Sequence, residues 1–172
     1  VYDANRGHGP YSPDAAPAGR RGFKNAALFY LAALADADAA ERARLAAQYR
    51  GADNMTDRIA ALRLLIDIDG DERWEALGYF YGRFSYDALV VDKWLGLQAI
   101  SALPDTLERV KSLTVSPAFS MKKPNKVRAL IGTFTAANPL RYHAADGSGY
   151  AFHADRILQL DPINPQVAAR LL

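Results

Sequence analysis

The chain has 172 residues, half of them hydrophobic and 23% charged, with 21 lysines and arginines against 19 aspartates and glutamates. That length can bury a sizeable core, the frequent alanines favour helix over strand, and a net charge of +2 gives no electrostatic case for nucleic acid or an anionic membrane. The absence of cysteine excludes disulfides and thiolate metal sites and suits the cytoplasm, and no apolar run approaches the ~18 residues of a membrane span.

Residues 1–19 carry His8-Gly9-Pro10, Pro13, Pro17 and Gly19 and read as a coil or linker, leaving 20–172 as the helical domain. From Arg20 the pattern turns helical, with Phe23, Ala27, Leu28, Tyr30, Leu31 and Leu34 marking one buried stripe. A second helix spans about Ala39 to Tyr49 with Leu45 and Tyr49 inward. Thr56 is the expected N-cap of a third, which turns Ile59, Leu62, Leu65 and Ile66 to the core. Asp71 and Glu72 place acids in the first turn of a fourth, ending near Phe84 and burying Trp74, Leu77, Phe80 and Tyr81.

Asp87 opens a fifth helix with Leu89, Val90, Trp94, Leu97 and Ile100 on its apolar side, and Pro104 stops it. Leu107, Val110 and Leu113 belong to a short successor. Pro124 suits the first position of a helix through Val127, Leu130, Ile131 and Phe134, which Asn138-Pro139 terminates. Residues 138–149 read as irregular. Gly149 or Tyr150 then starts a helix through Ile157, Leu158 and Leu160, and Pro165 starts the last. The expectation is an all-α array of about nine antiparallel helices, solenoid-like or superhelical in its pairing, with no repeat at the residue level. The apolar Ala168-Ala169-Arg170-Leu171-Leu172 ending reads as a truncation within a longer polypeptide.

Chemistry is sparse. His8, His143 and His153 are the only histidines, and their spacing makes no helical zinc pair, so no metal site is expected and His143 reads as a structural hydrogen-bonding residue. Asp146-Gly147-Ser148-Gly149 lacks the partners of a nucleophile elbow or a phosphate loop and reads as a tight turn. The aromatic set Trp74, Tyr79, Phe80, Tyr81, Phe84, Tyr86 and Trp94 has helical spacing and reads mostly as core. Lys122, Lys123, Lys126 and Arg128 read as a solvated helix entrance, except that Arg128, flanked by apolar positions, projects towards a cavity. Arg170 sits in a similarly apolar setting.

Several ordered motifs carry a resemblance. They are Gly19-Arg20-Arg21 with Lys24-Asn25-Ala26-Ala27-Leu28, Ala52-Asp53-Asn54-Met55-Thr56-Asp57, and Leu89-Val90-Val91-Asp92-Lys93-Trp94. Lys123 to Phe134, Asn138-Pro139, His143-Ala144-Ala145-Asp146-Gly147-Ser148-Gly149-Tyr150 and Asn164 to Leu171 complete the set, with Tyr142 where phenylalanine is expected. In this order they resemble the C-terminal helical domain of the bacterial aminopeptidase N family of zinc metallopeptidases. The resemblance implies a multidomain exopeptidase that removes N-terminal residues, often alanine or other neutral or basic ones.

In that family the zinc and the catalytic residues lie in another domain, and none of them is present in this chain. No catalytic residue or cofactor is therefore expected here, and the zinc belongs to the parent enzyme. The expected partners are the catalytic domain of the same polypeptide and peptide substrates, with neither nucleic acid nor membrane. The resemblance further implies that the domain packs over the catalytic domain, encloses a cavity, limits access, and continues past Leu172. Residues matching Arg128 and Arg170 would face the cavity. There they would either pair with the carboxylate or carbonyls of a bound peptide or hold a helix terminus or domain interface. A free-standing helical scaffold for protein partners is the alternative.

Overall fold

A computed structural model describes residues 1–7, 9–34 and 38–172 of the chain; the predicted coil residue His8 lies outside them. All regular structure among these residues is helical. The elements are a 3-10 turn at Asp3–Asn5, α1 (Ala15–Ala32), α2 (Ala39–Gly51), α3 (Met55–Leu65), α4 (Asp71–Phe84), α5 (Ala88–Ala99) and α6 (Thr106–Thr114). They continue with α7 (Pro124–Val127), a π turn (Arg128–Gly132), α8 (Thr133–Ala137), α9 (Pro139–Tyr142), α10 (Ser148–Leu160) and α11 (Pro165–Ala169). Because α7, the π turn and α8 follow one another without a break, they form one helix, and the predicted nine helices are joined by a tenth, α9.

The chain divides into two compact units, Val1–Gly78 and Tyr79–Leu172. In the first, α2 lies along α3, and α1 packs on both. Its core is Leu28, Leu45, Ala61, Leu62, Leu65 and Ile66, all essentially without solvent contact. α1 begins at Ala15 rather than at Arg20 because Pro17 falls in the first turn, where a missing N–H costs nothing. Asn54, not Thr56, caps α3: its side chain accepts from the Asp57 amide at 2.9 Å. The Arg58 guanidinium closes the end of α2 by donating to the carbonyls of Tyr49 (2.8 Å) and Ala52.

Much of the expected α1 stripe faces solvent. Leu28 is buried, but Phe23 is 67% and Tyr30 76% exposed, and Lys24 holds a buried place on the helix. Trp74 is also exposed, with the Arg73 guanidinium 4.1 Å from its ring centre.

The second unit is built around α5 and the helix from α7 to α8. Leu95, Val110, Val127, Leu130, Ile131 and Phe134 form its centre. Asp87 caps α5 as expected, accepting from the amides of Leu89 (2.9 Å) and Val90 (3.3 Å). Tyr81 packs on Trp94 with ring centres 4.7 Å apart, and Phe80 on Phe84 at 5.0 Å. Tyr79, Tyr86, Leu89 and Leu158, by contrast, are exposed.

Asn138 is buried and joins three segments. Its side-chain amide donates to the carbonyls of Ala99 (2.9 Å) and Ser101 (2.8 Å), while its oxygen accepts from the Arg141 amide at 3.1 Å. Asn138-Pro139 therefore ends one helix and, with proline at the first position, opens α9 inside the stretch expected to be irregular.

Candidate functional site

Arg128 stands at the start of the π turn. Its carbonyl accepts from the Thr133 amide, the i to i+5 bond that widens this turn, and from the Thr133 hydroxyl at 3.3 Å. The side chain is exposed, and its guanidinium donates to Asn125 Oδ1 at 2.5 Å, one turn earlier. That bond holds one edge of the planar fork and leaves donors facing outward. Arg170 is the residue that closes α11 and is likewise exposed. Gly132 brings the C-terminal residues close to this helix: a Cβ built there would lie 3.5 Å from Leu171 Cδ2 and 3.9 Å from Arg128 Cβ. Lys126, expected to be solvated, is instead buried, donating to the Ala88 carbonyl at 2.9 Å and pairing with Asp92 at 2.7 Å.

The segment from α9 into α10 gathers rings rather than a catalytic set. Tyr142 Oη lies 2.9 Å from His153 Nδ1, and Tyr150 Oη lies 2.6 Å from His143 Nδ1, so both histidines are hydrogen-bonded. Burial holds the His153 imidazole below its ordinary value, opposed by the backbone of Leu171. Asp146 takes the backbone amide and hydroxyl of Ser148 on one oxygen, at 2.9 and 2.7 Å, which keeps its carboxyl below the usual range. Gly147 adopts φ +73°, and a Cβ at Gly149 would collide with the Tyr142 carbonyl. Both glycines serve the turn. Among the described residues no three His, Asp or Glu side chains are grouped to hold a metal ion. A zinc centre with three protein ligands therefore does not fit the described residues.

The first unit contains a buried polar network that spacing alone did not suggest. Lys24 Nζ pairs with Asp57 Oδ2 at 2.6 Å, and the Asn25 amide donates to Asp57 Oδ1 at 2.9 Å. The Gln48 amide donates to Asn25 Oδ1 at 2.8 Å, and the Tyr2 hydroxyl to Gln48 Oε1 at 2.9 Å. Burial pushes the Asp57 carboxyl up, but hydrogen bonds from Lys24, Asn54 and Asn25 together with the Lys24 charge hold it below the ordinary value. The signal was a lysine within the apolar positions of α1, which needs a carboxylate opposite it once buried.

A family model described as a domain of unknown function (DUF3458_C) with ARM repeats matches residues 1–172. Over 165 residues the chain is 44% identical to aminopeptidase N of Caulobacter vibrioides, covering 96% of this chain and 19% of that protein. Aminopeptidase N of Escherichia coli is 36% identical over 176 residues, covering 100% of this chain and 19% of its own length. Among solved structures, that of Legionella pneumophila aminopeptidase A in complex with aspartic acid superposes with a TM-score of 0.86 at 35% identity. That match covers 96% of this chain and 20% of the Legionella protein. The chain thus spans about a fifth of the length of these relatives. Its helices, its ordered motifs and these matches together place it in the family of C-terminal helical domains of aminopeptidase N.

Proposed function

We propose that this chain is the accessory helical domain of a zinc aminopeptidase, a cytoplasmic enzyme that removes N-terminal residues from peptides. In this reading it packs against the catalytic domain of the same polypeptide, walls the cavity above the active site and limits which substrates enter. The observation that carries it is family membership over the full chain beside relatives about five times as long. The exposed Phe23 and Tyr30 on α1 are consistent with a face that another part of the polypeptide covers.

The domain's chemical role is recognition. Arg128 and Arg170 both present exposed guanidinium groups, and a planar fork suits the C-terminal carboxylate or the carbonyls of a bound peptide. Asn125 restrains Arg128 before any ligand arrives, so less rotamer freedom is lost on binding. Zinc would be held by residues elsewhere in the polypeptide, and no residue of this chain is assigned to hold it.

The test compares this 172-residue chain, once its helical circular dichroism is established, with the full-length polypeptide. Metal content and hydrolysis of an alanyl amide are measured for both. Stoichiometric zinc and turnover are expected in the full-length protein alone. Zinc-dependent turnover by the folded 172-residue chain would overturn the accessory role, and a full-length protein without either would favour a helical scaffold.

A further inference from the structure

The first unit holds a cavity of about 620 Å³ between the N-terminal segment, α1, α2 and the turn into α3. This size falls within the usual range for small-ligand sites. Its charges are not balanced by their neighbours. Lys24 is consumed by Asp57 at 2.6 Å, while Arg44 is engaged by Glu41 at 2.9 Å and Asp3 at 3.3 Å. Arg6 reaches Asp3 at 3.8 Å. Arg20 and Arg21, which also line the cavity, make no ion pair among the described residues, and Asp53 is the remaining acid in the lining.

Two of these guanidinium groups are braced by aromatic rings. Arg21 lies 4.7 Å from the ring centre of Tyr11, and Arg44 lies 5.2 Å from that of Tyr2. A guanidinium held by its face keeps its donor edge free and loses little freedom when an acceptor binds. Tyr2 is itself fixed by its hydrogen bond to Gln48 at 2.9 Å. The result is a half-open space with two cations outside any ion pair, the exposed Arg20 and the half-buried Arg21, one of them already oriented.

We infer that this cavity binds a small multivalent oxyanion through Arg20 and Arg21. Phosphate and carboxylate groups share the required chemistry, a planar or tetrahedral set of acceptor oxygens for a bidentate fork. The site lies in the first unit, whereas Arg128 and Arg170 belong to the second, so the inference does not depend on the peptide-handling role.

Calorimetric titration of the full-length polypeptide with pyrophosphate and, separately, with citrate tests it. Saturable binding at one site by either anion is expected, and the anion that binds identifies the group recognised. The Arg20→Gln/Arg21→Gln variant should bind about tenfold more weakly or worse, since each charge-assisted bond lost is worth on the order of a kcal/mol or more. Arg63→Gln, which removes an exposed charge on α3 of the same unit and outside the cavity lining, should leave the affinity unchanged. Absence of saturable binding by both anions, or equal losses in the two variants, would overturn the assignment.

Discussion

At the scale of single residues, the polar side chains that hold the fold are the same ones that carried the resemblance. Lys24, Asn25, Asn54 and Asp57 form one buried cluster, and Asp92 pairs with Lys126 in the other unit. Their presence in the motifs was legible, but their partnership was not, because Lys24 and Asp57 are 33 positions apart and only packing brings them together. Asp57→Ala leaves the Lys24 ammonium buried without its carboxylate and should destabilise the first unit by about 3–5 kcal/mol, read by denaturant unfolding. The Asp57 carboxyl titrates below its ordinary 3.8 when folded, so its contribution is complete above that pH. It is lost as pH falls through the lower folded value. Asp57→Asn should therefore flatten the stability curve on its acid side; an unchanged acid slope would contradict the pairing.

At the scale of elements, apolar spacing and proline positions located nearly every helix, because each rests on local geometry that one sequence window contains. Which face a helix buries is not local. α1 is apolar nearly all round from Phe23 to Leu34, so more than one stripe satisfies helical spacing. The observed choice leaves Phe23 and Tyr30 exposed and puts Lys24 opposite Asp57. The π turn was likewise hidden, since it depends on the Arg128 carbonyl meeting Thr133 rather than on any residue preference. α9 was missed because Asn138-Pro139 reads as a stop, whereas here the same pair also caps and starts a helix. The turn before α10 was read correctly from Asp146-Gly147-Ser148-Gly149, and it supplies a sharp test. Gly149→Ala drives a methyl into the Tyr142 carbonyl and should cost about 1–3 kcal/mol in thermal or denaturant unfolding. Gly82→Ala, where a Cβ has no neighbour within 4 Å, should be neutral or stabilising.

At the scale of the whole molecule, the family was legible from motif order alone, while the candidate site was legible only as two arginine positions. The structure adds that both are exposed and that Asn125 restrains one of them. The direct measurement is kcat/KM of the full-length enzyme, with Arg128→Ala and Arg170→Ala, for tetrapeptides and for single-residue amides of the same N-terminal amino acid. A loss of roughly tenfold or more is expected for the peptides, the scale of one charge-assisted contact, with little change for the amides. Equal effects on both substrate types, or none on the peptides, would contradict it.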